Sequence, residues 1–154
     1  MQASGVNPLV DCVFKKLLGS DEHKTLLIHF LNAVLASFLG QSVNDVEILN
    51  PYTLQDTFTD KLTIVDVKAK DSNGLIFQIE VQLSVYKSLR ERMLYTWAGL
   101  YAKQLKQGEP FRQIPPVISI WLLGENLFKN CSMRHIFQLR DGENKITLTD
   151  TGTI

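Results

Sequence analysis

The sequence predicts a mixed α/β sandwich, a central sheet flanked by helices. Three observations lead there. Apolar residues recur at helical spacing in two separate stretches, residues 21–39 and 86–107. Between them lies KLTIVDVKAK–DSNG–LIFQIEVQLS, two β-rich runs joined by a turn signal at Gly74. After Pro115-Pro116 comes Val117-Ile-Ser-Ile-Trp-Leu-Leu123, a nearly continuous apolar run that suits a strand covered on both faces. The order helix, helix, strand, hairpin, helix, strand needs layers on both sides of a sheet.

The elements follow in order. Residues 8–18 read as a short helix stopped at Gly19, and Ser20 is placed to cap a helix over 21–39, with Asp21 and Glu22 suiting its positive end. Leu27, Phe30, Leu31, Val34, Leu35 and Phe38 form its core stripe, and Gly40 ends it. Val46–Leu49 reads as a strand closed by Asn50-Pro51, and the hairpin spans about 62–83. The helix over 86–107 buries Leu89, Met93, Trp97 and Leu100 and stops at Gly108. Met133–Arg140 and Lys145–Thr149 look like a second hairpin around Asp141–Asn144.

The hairpin carries the chemistry. A two-residue Asn73-Gly74 turn would put Asp66 and Glu80 on opposite faces of the sheet. A three-residue loop, Ser72-Asn73-Gly74 with glycine left-handed, sets Asp66 opposite Glu80 and Gln82 on the same face. The pattern selects the second register, which gathers Val65, Val67, Ala69, Phe77, Ile79, Val81 and Leu83 on one face. Asp66, Lys68, Lys70, Gln78, Glu80 and Gln82 fall on the other. Two facing carboxylates repel unless a cation sits between them. Mg²⁺ suits the pair, since it takes one or two carboxylates and completes its shell with water and substrate phosphate. Gln82 adds a neutral contact that orients an attacking water. The same residues also suit a solvated hairpin face whose acids pair with Lys68 and Lys70, and spacing alone leaves that alternative open.

Composition narrows the function. The chain has 154 residues, 45% apolar and 21% charged, as a globular domain does. Lys+Arg and Asp+Glu balance at 16 each, so no overall basic surplus announces a nucleic-acid binder. Cys12 and Cys131 form no CxxC pair and read as free thiols in a reducing cytosol, and His23, His29 and His135 lack zinc-ligand spacing. No secretory signal or membrane-length apolar run is visible, which gives a cytoplasmic expectation with no membrane partner.

Asp66-x13-Glu80-x-Gln82, with a helix before it and Arg92-x-x-Tyr95 on a helix after it, resembles the PD-(D/E)XK nuclease superfamily. The nearest likeness is to its Rpn-type branch of recombination-promoting nucleases and transposases. The likeness runs from about Asn7 to Phe128 and includes Asp11-Cys-Val-Phe14-Lys15, Asp66-Val-Lys-Ala and Gly74. Ile79-Glu-Val-Gln82, Leu100-Tyr101, Gln104-Leu105, Gly108 and Pro116-Val-Ile118 complete it.

The resemblance implies a restriction-endonuclease-like αβββαβ core in a single domain over 1–154, and a Mg²⁺-dependent (or Mn²⁺-dependent) endonuclease that hydrolyses DNA phosphodiesters in recombination or transposition. It implies Asp66 and Glu80 as metal ligands and, with Gln82, as catalytic residues. Arg92 and Tyr95 are implied at the scissile phosphate. The superfamily lysine two residues after the glutamate is Gln82 here, and Lys68 or Lys15 are the candidates to replace its charge. Family members continue as helix beyond this point, so the chain is expected to be a fragment lacking that region, and a homodimer is left open. The lost lysine and the neutral balance support an alternative, a catalytically weak nucleic-acid-binding or assembly module on the same fold.

Overall fold

A computed structural model of the chain describes residues 10–51, 65–129, 132–143 and 145–153. Its elements run α1 (Asp11–Leu18), α2 (Lys24–Leu39), β1 (Val46–Leu49), β2 (Val67–Asp71), β3 (Ile76–Gln82), α3 (Leu89–Ala102), β4 (Val117–Leu123), β5 (Phe137–Arg140) and β6 (Thr147–Thr153). The first seven give the expected αβββαβ order, the leading α being the α1–α2 pair, and β6 and β5 extend the sheet to six strands, ordered β1-β2-β3-β4-β6-β5. β1, β2 and β3 pair antiparallel, β3, β4 and β6 parallel, and β5 antiparallel to β6. The mixed sheet flanked by helices is the expected fold class. Residues 62–64 of the expected hairpin, residues 8–9 of the first helix, Cys131 and Asn144 lie outside the described residues.

Each face of the sheet has its own core. On one side Phe14 and Leu18 of α1 and Leu27, Leu31 and Leu35 of α2 pack on Val67, Ala69, Phe77, Ile79, Ile118 and Ile120. These are alternate positions of β2, β3 and β4, as the pleat requires. On the other side α3 lays Trp97 and Leu100 on Ile76 and Val117, and Leu89 and Met93 on Trp121. The Trp97 indole N–H donates to the Val117 carbonyl at 3.1 Å and ties the helix to the sheet.

Several boundaries differ from the sequence reading. The Ser20 side chain caps no helix. Residues Asp21–His23 form one 3-10 turn, α2 starts at Lys24, and the Ser20 hydroxyl instead donates to the Lys16 carbonyl at 3.0 Å. Gly40 ends α2 as expected, in the left-handed region with φ 65°. α3 spans 14 residues and is followed by a turn at Lys103, five residues before Gly108, because the apolar spacing that holds it on the sheet ends with Leu100 and Tyr101. The second hairpin forms, with β6 reaching Thr153 beside β4.

Val65 also departs from its expected face. The register of the central hairpin is the three-residue one: Val67 pairs with Ile79, Lys68 with Gln78, and Gly74 has φ 87°. The chain bends at Asp66, however, so strand alternation stops there and Val65 packs with Ile76, Trp97 and Val117 under α3. The polar face of β3 is not solvated either, since α3 covers it: Gln78 is 0% and Glu80 3% exposed. That overturns the reading of a screened, water-facing hairpin.

Candidate functional site

The bend at Asp66 decides how the acidic pair is arranged. Having left the ladder, Asp66 turns its carboxylate onto β3, where Oδ2 accepts the Val81 backbone N–H at 2.8 Å. A side-chain oxygen thus takes a main-chain donor beside Glu80, holding Asp66 in one orientation. Its Oδ1 pairs with Lys15 Nζ of α1 at 3.3 Å.

Glu80 lies one position along, beneath the first turn of α3. Burial first and the Asp66 charge second push its carboxyl up to about pKa 7, against the opposing pull of Arg92, the Gln78 amide and the Asp66 backbone amide. Arg92 Nη2 stands 3.7 Å from Glu80 Oε2. Its Nη1 donates to the Tyr86 hydroxyl at 3.2 Å and to Gln82 Oε1 at 3.5 Å. The guanidinium also lies over the Trp121 ring, 5.6 Å from its centroid, which positions it without using its outer donors. The Gln82 amide donates to the Ser84 carbonyl at 3.1 Å.

The ends of β3 and β4 are locked together just past this point. Gly124 N–H donates to the Gln82 carbonyl at 3.0 Å, and a Cβ on Gly124 would come within 2.5 Å of the Leu83 carbonyl oxygen. Glu125 Oε2 accepts the Val85 N–H at 3.0 Å. The turn that leads from Gln82 toward α3 is therefore held by one backbone and one side-chain hydrogen bond from the segment after β4.

Of the residues singled out from sequence, Asp66, Glu80, Gln82, Lys15 and Arg92 converge on this one place. Lys68 and Tyr95 do not. Lys68 sits in β2 across from Gln78, its ammonium pushed below the ordinary value by burial, and among the described residues it makes no ion pair. Tyr95 is 55% exposed on the outer side of α3, because the buried face of the helix runs through Met93, Thr96 and Trp97. The hydroxyl that reaches Arg92 belongs to Tyr86, in the connection before the helix.

Sequence reasoning also missed Gln78, Ser119 and Trp121. These three side chains form a buried hydrogen-bonded series ending on Glu80. The available signal was Ser119, a lone hydroxyl inside an otherwise apolar strand, since a buried polar group needs a partner.

The donor set can hold a hard cation. Asp66 is near enough for its charge to raise the Glu80 carboxyl, and the buried Glu80 gains from a compensating charge. Among the described residues no third histidine, cysteine or acid joins them. Two carboxylates leave room for water and phosphate oxygens, as Mg²⁺ prefers.

The family model described as "PD-(D/E)XK nuclease family transposase" matches residues 8–154. No curated protein and no solved structure matches the chain. No helix among the described residues is long and apolar enough to cross a membrane.

Proposed function

The chain belongs to the PD-(D/E)XK nuclease family transposases, and on that premise we propose that it is a divalent-metal-dependent DNA endonuclease that hydrolyses phosphodiester bonds. Asp66 and Glu80 would hold the metal, with the carbonyl of Val81 as a further oxygen donor. When bound, Mg²⁺ or Mn²⁺ polarises the phosphate and lowers the pKa of a water. Arg92, already aimed at Glu80 and braced by Tyr86 and Trp121, binds a non-bridging phosphate oxygen as charge accumulates there. Gln82, whose amide is anchored on Ser84, orients the attacking water or the phosphate. Lys15 takes the electrostatic part of the missing consensus lysine, since it reaches Asp66 whereas Lys68 does not.

The observation that carries this reading is the environment of Glu80, a carboxylate buried against Asp66 and flanked by Arg92. Burying like charges costs stability unless a cation compensates. Supercoiled plasmid incubated with Mg²⁺, Mn²⁺ or EDTA tests the reading. The expected result is nicking or linearisation with either metal and none with EDTA. Equal cutting in EDTA, or no cutting by the chain or a longer relative, contradicts it.

One observation favours a second reading. Gln82 occupies the consensus-lysine position, so that residue brings no charge of its own, and its side-chain Oε1 is already engaged by Arg92. A weakly active, DNA-binding module would shift DNA in a gel without metal-dependent cutting.

A further inference from the structure

The buried series behind Glu80 has a fixed direction. Gln78 and Ser119 are paired in the parallel register of β3 and β4, as are Glu80 and Trp121, so the four side chains stand together on the α3 face. The Trp121 indole N–H donates to Ser119 Oγ at 2.8 Å. An indole nitrogen is a donor only, so Ser119 must accept there and spend its one proton elsewhere. That proton goes to Gln78 Oε1 at 3.0 Å. With its oxygen taken, the Gln78 amide can turn only its NH₂ toward Glu80, where Nε2 stands 3.4 Å from Oε1. Gln78 and Ser119 are 0% exposed, so water does not compete with these bonds.

We infer that Gln78, oriented by Trp121 through Ser119, is a positioning residue that holds Glu80 Oε1 toward the interior and leaves Oε2 facing the cation and phosphate. The inference rests on the nuclease reading and deepens it: the glutamate is presented by a relay on β4, a strand that supplies no metal ligand. Arg92 meets Oε2, not Oε1, which agrees with this division of the two oxygens. Without the relay, Oε1 loses its interior donor, and only Arg92 and the Asp66 backbone amide still hold the carboxylate, so the ligand geometry loosens.

Mn²⁺ titration by calorimetry on the full chain tests it, with wild type, Gln78→Met, Ser119→Ala, Ser119→Thr and Asp66→Ala compared, and a thermal melt confirming that each is folded. Gln78→Met keeps the length of the side chain and removes its polar head. It should weaken Mn²⁺ about 10- to 100-fold, the range for loss of a group that orients a ligand. Ser119→Ala releases the amide to turn its oxygen on Glu80 and should weaken Mn²⁺ in the same direction. Ser119→Thr restores the hydroxyl and should recover the affinity. A merely structural role would lower the melting temperature and leave the Mn²⁺ affinity unchanged, and that result overturns the inference. Should Gln78→Met not fold, Ser119→Ala decides alone, and wild-type affinity in it is equally fatal. Loss of Mn²⁺ in Asp66→Ala with full retention in Gln78→Met sinks this inference only. A wild type that takes up no Mn²⁺ sinks the metal reading of the site and this inference together.

Discussion

Asp66 Oδ2 accepts the backbone N–H of Val81, at 2.8 Å, so the first acid of the site is fastened to the residue that follows the second. The two carboxylates thereby move as one unit with β3. Neither Asp66 nor Glu80 can drift from the other without breaking a hydrogen bond or the β2–β3 ladder.

The charge balance at Glu80 makes the metal-free protein sensitive to pH. Its carboxyl lies near pKa 7 in the fold against 4.5 unperturbed. Between those values the folded chain keeps a proton that the unfolded chain has released. This contribution to stability is therefore full below about pH 4.5 and is lost as pH rises through 7. The amplitude is about 3 kcal/mol at most. Urea unfolding of wild type and Glu80→Gln across that range should show the wild type losing ground to the variant as pH rises. A constant difference between the two contradicts the assignment.

If Glu80 holds the metal as proposed, proton and metal compete for the same carboxylate. Mn²⁺ affinity should rise about tenfold per pH unit below 7 and level off above it, since a ligand must be deprotonated to bind. Calorimetric titration at several pH values gives the slope directly. A flat profile would mean that Glu80 is not a ligand.

Cleavage should divide the site residues by role. Asp66→Ala and Glu80→Ala should each abolish activity with the fold retained. Gln82→Ala should reduce it less, because the amide only orients water or phosphate. Gln82→Lys should preserve or raise activity by placing a cation beside the phosphate. Arg92→Met, which keeps the aliphatic stem over Trp121, should lower kcat about 100-fold, the scale for one lost electrostatic donor. Full activity in Asp66→Ala, with contaminating nuclease excluded, refutes the mechanism.

Gly124 provides a structural control. Gly124→Ala would drive a methyl carbon onto the Leu83 carbonyl oxygen, a backbone atom that cannot swing away. The β3 end must shift, taking Gln82 with it. A fall in melting temperature together with weaker cleavage is expected, and an unchanged protein on both counts would show that this end of the sheet is pliable.

Much of this was legible from local sequence. The loop Ser72–Gly74 fixed the β2–β3 register because glycine supplies the left-handed residue that a three-residue loop needs. The stripe Leu27, Leu31, Leu35 announces its helix by period, and the short, nearly continuous apolar run from Val117 to Leu123 after Pro115-Pro116 announces a doubly covered strand. What escaped depends on contacts between distant segments. The bend at Asp66 turns Val65 to the α3 face, and no local pattern foretells it. The burial of Gln78 and Glu80 comes from α3, and the meeting of Ser119 with Gln78 comes from a parallel register that spans 41 residues of chain. The Arg-x-x-Tyr resemblance implies Tyr95, but spacing on a helix says which residues are neighbours, not which side meets the sheet, and the hydroxyl that reaches Arg92 is that of Tyr86.

In the proposed mechanism Asp66 and Glu80 together bind one divalent cation. Thermal melts of wild type and Asp66→Asn, each with millimolar Mg²⁺, Mn²⁺ or EDTA, test it most directly. An ion at 100 times its Kd stabilises the fold by about 2.7 kcal/mol. For a chain of this size that raises the melting temperature by roughly 5–10 °C. Asparagine can still accept the Val81 N–H but brings no charge, so the variant should keep its fold and lose most of the rise. A wild type whose melting temperature ignores the metals, or a variant that shows the same rise, would contradict the account.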